Sequence, residues 1–122
     1  MRARALVMVR WMSRAVVLSR KQIHQGRILD IGVERVRLPG GTETDLEVIR
    51  HPGAAAVVPL TNDGEILLLR QFRHAVGGML WEIPAGTLAP GESPRDCAAR
   101  ELIEEAGVAA GELIDLGEVV PA

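Results

Sequence analysis

The sequence turns on residues 86–108, GTLAPGESPRDCAARELIEEAGV. Ser93 is a good helix N-cap, Pro94 suits the first helical position, and Asp96 completes an approximate capping box. Gly107 is the usual left-handed terminator. One helix is therefore predicted between Ser93 and Gly107. At 3.6 residues per turn, Glu101, Glu104 and Glu105 share an arc of about 100°, with Ala99, Leu102, Ile103 and Ala106 on the opposite side. The pattern predicts a helix that packs its apolar side and turns its carboxylates outward. Like charges at this spacing repel by about 0.2–0.5 kcal/mol per pair, and Arg100, four residues before Glu104, can relieve one of them. An acidic helix face by itself is most often only a solvated surface. Glutamate oxygens set closely on a rigid helix also suit Mg²⁺ or Mn²⁺, which prefer hard oxygen ligands. Cys97 and Ala98, one turn earlier on the same side, read as small enough to let a phosphate approach.

Before the helix, Trp81-Glu82-Ile83-Pro84 reads as a short extended piece, because Pro84 biases Ile83 away from helix. Residues 86–91 read as a loop, as do residues 71–80, with Gly77-Gly78 and no clear period. Asn62-Asp63-Gly64 is a hairpin signal between expected strands at 54–60 and 65–70, which look more deeply buried than those before them. Residues 22–50 carry short β-like runs broken at Pro39-Gly40-Gly41, which predicts a small antiparallel sheet. After the helix, residues 113–120 read as one more strand. The expected fold class is α+β.

Composition bounds the rest. A chain of 122 residues suits one core, and 48% apolar with 25% charged residues argues against disorder. A net charge of -2 gives no global attraction to a nucleic acid polymer or an anionic membrane. Its distribution is uneven: residues 1–20 hold arginines and no acid, while residues 101–122 hold acids and no base. The acidic end therefore calls for a cation, from a basic neighbour or a metal. The lone Cys97 excludes an internal disulfide and fits a reducing, cytoplasmic compartment. It has no adjacent base in sequence and reads as packing. His24, His51 and His74 lie far apart without ligand spacing, so structural or surface roles are expected of them. Trp81 reads as a core or dimer-interface aromatic rather than a base stacker.

The spacing G-x5-E-x7-R-E-U-x-E-E-x-G-U, with U aliphatic, is met by Gly86, Glu92, Arg100, Glu101, Leu102, Glu104, Glu105, Gly107 and Val108. On these residues the chain resembles the Nudix hydrolases. The resemblance implies a loop–helix–loop holding a divalent cation, Mg²⁺ or alternatively Mn²⁺, against the diphosphate of a nucleoside diphosphate linked to another group. It implies Glu101 and Glu105 as principal metal ligands with Glu104 assisting, Arg100 locking the acids, Gly86 and Gly107 permitting the end turns, and Glu92 supporting the loop. The flanks Gln71-Phe72-Arg73-His74, Leu80-Trp81-Glu82-Ile83-Pro84-Ala85-Gly86 and Arg50-His51-Pro52-Gly53-Ala54 resemble ADP-ribose pyrophosphatases. By that analogy the Ala85 carbonyl is a further metal ligand and Arg73 contacts the diphosphate, with Arg70 and Glu82 as weaker substrate candidates.

The resemblance thus implies a Nudix-type mixed sheet (53–122) preceded by an antiparallel, dimerising sheet (19–52). Residues 1–18 are expected to be a basic leader, disordered or mis-started. The expected reaction is hydrolysis of a nucleoside diphosphate sugar, ADP-ribose to AMP and ribose 5-phosphate, by a cytoplasmic homodimer. Such enzymes continue with a loop carrying a glutamate general base, further strands and a closing helix. The chain is therefore expected to be C-terminally truncated, with its general base beyond residue 122. Two other readings stay open: a non-catalytic metal- and nucleotide-binding module, or a hydrolase for another nucleoside diphosphate sugar or an oxidised nucleotide.

Overall fold

The computed structural model describes residues 14–120. The chain divides into two compact units at His51/Pro52.

In the first unit, β1 (Val16–Gln25), β2 (Asp30–Arg37) and β3 (Glu43–Arg50) form one antiparallel sheet in that order. β1 begins at Val16, inside the stretch read from sequence as a leader; residues 1–13 lie outside the described residues. The sheet is held by charge as well as by its ladder. Successive residues of a strand face opposite ways. On one face of β2, Arg35 and Arg37 meet their directly opposed partners, Asp45 at 3.2 Å and Glu43 at 2.9 Å. On the other face Glu34 is buried beside Val36. Arg50 Nη2 donates to Glu34 Oε1 at 2.5 Å, and Arg20 donates to Asp30 at 2.7 Å while its Nε sits 3.2 Å from Glu34. Two arginines thus offset the cost of enclosing one carboxylate.

In the second unit, β4 (Ala54–Ala56) pairs with β7 (Ala85–Thr87), and β5 (Leu69–Arg73) pairs with β6 (Gly78–Glu82), both antiparallel. The helix α1 (Pro94–Ala106) packs on β4 and β7. Its core is small: Ala55, Pro84, Cys97 and Leu102. Short side chains at Ala55, Gly86 and Cys97 let the helix backbone approach the strands. The two ends of α1 follow their expected chemistry. Ser93 Oγ accepts the Asp96 amide at 3.1 Å, and Gly107 closes the last turn in the left-handed conformation, φ 69°.

Five expectations require correction. The strand expected over 54–60 stops at Ala56; Leu60 reaches only an isolated bridge to Ile66, and both side chains are exposed rather than deeply buried. Pro59 lacks the amide that would carry the ladder on. The strand expected over 65–70 begins at Leu69 and continues to Arg73. Residues 71–80 are not a loop but the turn and inner ends of a hairpin. A 3-10 turn (His74–Val76) and Gly77, at φ 68°, reverse the chain, and Gly78 then opens β6. Residues 85–87, whose last two lie in the expected 86–91 loop, form β7. Finally, residues 113–120 form no strand: Ile114, Leu116, Val119 and Val120 are exposed and pair with nothing among the described residues.

Candidate functional site

The site is built where α1 crosses β7. The sequence pattern expects the glutamates to face outward and Leu102 and Ile103 inward; Glu104 and Leu102 lie as expected, whereas Glu101 and Ile103 are exchanged. Cys97, Glu101 and Leu102 are the buried residues of α1, Glu101 being only 9% exposed, whereas Ile103 is 55% exposed. Glu104 is exposed, while Glu101 lies on the packed side and Glu105 is half-buried. The physical reason is that the acids have partners there. Apolar periodicity records hydrophobic burial only and is blind to a carboxylate that meets donors inside.

Arg100 supplies most of those donors. Its Nε donates to Glu92 Oε1 at 2.8 Å and its Nη2 to Glu92 Oε2 at 3.0 Å, a bidentate pair. Its Nη1 donates to Glu101 Oε1 at 2.6 Å and Glu104 Oε2 at 3.0 Å. Nη2 also reaches the Thr87 carbonyl at 3.3 Å. One guanidinium therefore serves three acids, where the sequence pattern offered it one. The consequence for Glu92 is large: the Arg100 hydrogen bonds, then the Ala89 amide donating at 2.9 Å, bring its pKa down to about 2. The same contacts, led by Glu92, raise that of Arg100.

Gly86 is needed at close quarters. A Cβ built on it would overlap the Glu101 carboxylate, so only glycine leaves that acid its place. Cys97 lies beneath, fully buried, its thiol donating to the Gly86 carbonyl at 3.4 Å. Desolvation pushes the thiol pKa up. Cys97 therefore packs the loop against the helix and offers no room for a phosphate, contrary to the expectation from its size.

Glu105 is held differently. The Ala85 amide donates to its Oε2 at 3.0 Å, and Gln71 Nε2 donates to its Oε1 at 3.1 Å. The β5–β6 register puts Gln71, Arg73 and Glu82 on one face of the hairpin. Arg73 Nε donates to both oxygens of Glu82, at 3.0 and 2.9 Å. That hydrogen bonding lowers the pKa of Glu82 and raises that of Arg73, with Glu105 adding to the latter. Arg70 is not brought to this group. It lies on the other face, 5.9 Å from the ring centroid of Trp81, which is 68% exposed and thus no core residue of this chain. The sequence carries Gln71 only as part of the 71–74 flank and gives it no role, since a lone glutamine in an apparent loop bears no signal of its own.

The NUDIX domain family matches residues 50–122. The chain belongs to the Nudix family. It is 43% identical over 96 residues to an ADP-ribose pyrophosphatase of Bacillus subtilis (strain 168), covering 79% of this chain and 52% of that protein. It is 43% identical over 103 residues to an ADP-ribose pyrophosphatase of Mycobacterium tuberculosis (strain ATCC 25618 / H37Rv), covering 81% and 50%. It is also 45% identical over 87 residues to a methanol dehydrogenase activator of Bacillus methanolicus, covering 71% and 47%. The chain spans about half the length of these curated relatives. A crystal structure of an ADP compounds hydrolase superposes with a TM-score of 0.66 at 23% identity, covering 85% of this chain and 57% of that one, and shares the Nudix fold.

Nudix hydrolases generally use divalent metals. Among the described residues, no three His, Cys, Asp or Glu side chains are arranged to enclose an ion. Glu101 and Glu104 share Arg100, and Glu105 takes two amides. In donor type the set nonetheless fits a hard cation: three carboxylates on one helix, next to a glycine whose missing side chain leaves space for one of them.

Proposed function

We propose that this Nudix chain belongs to an enzyme that hydrolyses the diphosphate of a nucleoside diphosphate sugar, with ADP-ribose giving AMP and ribose 5-phosphate. The observation that carries the reading is the loop–helix junction itself. Glu101 occupies the space left by Gly86, and Glu105 is fixed by the Ala85 amide. The similarity to ADP-ribose pyrophosphatases supports the substrate.

Mg²⁺, with Mn²⁺ as the alternative, would be held by Glu101, Glu104, Glu105 and the Ala85 carbonyl. When bound, such a cation neutralises charge on diphosphate oxygens and lowers the pKa of water. The chain's own residues do the rest. Arg100 holds Glu101 and Glu104 through one planar group, so the acids keep a fixed separation. Arg73, on the hairpin face that meets Glu105, offers its guanidinium to the diphosphate by exchanging its Glu82 partner for phosphate oxygens. The reading also includes a cytoplasmic homodimer joined through the β1–β3 sheet. The exposed Val16, Ile23 and Ile49 support that dimer, and the single free cysteine supports the compartment.

The test is product analysis by mass spectrometry with ADP-ribose, ADP-glucose and GDP-mannose, each with Mg²⁺ and with EDTA. AMP and ribose 5-phosphate formed only with metal are expected. Turnover that persists in EDTA, or in Glu105→Gln, overturns the reading. A second reading, a binding module without turnover, is favoured by the commitment of Glu101 and Glu104 to Arg100. Metal-dependent ADP-ribose binding without product would select it.

A further inference from the structure

We propose that Gln71 is a positioning residue for Glu105, fixing the orientation in which that carboxylate receives the divalent cation. The inference rests on the reading above, in which Glu105 is a ligand. A carboxylate held by one hydrogen bond can still pivot about it. Glu105 is held by two, one at each oxygen: the Ala85 amide at 3.0 Å and the Gln71 amide at 3.1 Å. The two donors come from different strands, β7 and β5, so together they fix both the reach of the side chain and the plane of its carboxylate. An ionised carboxylate offers about four lone-pair sites, so two remain for a cation after both amides are served.

The choice of donor matters. A lysine or arginine at position 71 would bring a positive charge against an incoming cation. A glutamine orients the acid without competing for it. Its place in β5 is set by pairing with Leu80, which turns its side chain to the face shared by Arg73 and Glu82. Gln71 is half-buried, and its side-chain bond to Glu105 ties the hairpin to α1. Hydrogen-bonding partners behind metal-binding side chains are typically worth roughly 10–100-fold in metal affinity.

The test is titration calorimetry of Mn²⁺ into the full chain, in the unmodified form and in Gln71→Leu, Glu105→Gln and the double variant. Gln71→Met, of similar length and likewise without a donor, replaces Gln71→Leu should that variant fail to fold by circular dichroism. The expected result is roughly 10–100-fold weaker Mn²⁺ binding in Gln71→Leu, with no further loss when it is added to Glu105→Gln. If Glu105→Gln weakens binding while Gln71→Leu stays within about twofold of the unmodified chain, the role of Gln71 is overturned and Glu105 keeps its own. Losses that multiply in the double variant overturn it as well, because Gln71 would then act independently of Glu105. If Glu105→Gln has no effect, or the unmodified chain binds no Mn²⁺, the underlying reading falls and the proposal with it.

Discussion

The guanidinium of Arg100 faces the carboxylate of Glu92 edge to edge, with Nε to Oε1 at 2.8 Å and Nη2 to Oε2 at 3.0 Å. They lie eight positions apart in the chain, and their pairing closes the loop that leads from β7 into α1. Because it lowers the Glu92 pKa from its ordinary 4.5 to about 2, the folded chain binds a proton there less readily than the unfolded one. The stabilisation is therefore complete above pH 4.5 and is lost as the pH falls toward 2. Urea midpoints measured from pH 2 to 7 should show this acid limb in the unmodified chain. Glu92→Gln should lower the midpoint at pH 7 and flatten the limb; an unchanged limb would show that Glu92 does not carry it.

Gly86→Ala forces a methyl into the space of the Glu101 carboxylate. Overpacking of this kind costs about 1–3 kcal/mol. The thermal midpoint should fall accordingly, while Gly111→Ala, which meets nothing within 4 Å, should leave it in place. Equal midpoints for the two variants would contradict the contact.

Ser93→Ala removes the acceptor for the Asp96 amide and should destabilise the second unit by about 1 kcal/mol, with Ser93→Gly costing only a few tenths. Chemical denaturation of both variants gives the comparison. An inverted order would mean that the cap contributes nothing.

In the first unit, Arg50→Ala strips the short hydrogen bond from the buried Glu34, leaving Arg20 as its neighbour. Hydrogen bonds to enclosed charges are worth about 1.5–3 kcal/mol. Arg35→Ala, in the exposed ladder, should cost less than about 1 kcal/mol. Hydrogen exchange of the β2 amides, read in both variants, separates the two cases.

Much of this was legible in the chain, and the failures have physical causes. The helix between Ser93 and Gly107 announced itself through capping chemistry, which is local and survives any tertiary context. The box spacing identified the family for the same reason: its residues lie within one short segment. Leu102 was legible as inward, but Glu101 beside it was not, because its burial depends on Arg100 and Gly86 meeting it in space. The β5–β6 hairpin was hidden by Gly77-Gly78, which serve equally well in a loop and in a tight reversal. Residues 113–120 alternate like a strand, yet pattern alone provides no neighbour to bond with.

The burial of Glu101 gives its carboxylate two employers. The acid that would serve the chemistry also anchors the helix, so an inactive Glu101 variant says nothing about mechanism until its folding has been measured separately. Glu104, with its side chain 59% exposed and Arg100 its one partner among the described residues, is where the two obligations come apart.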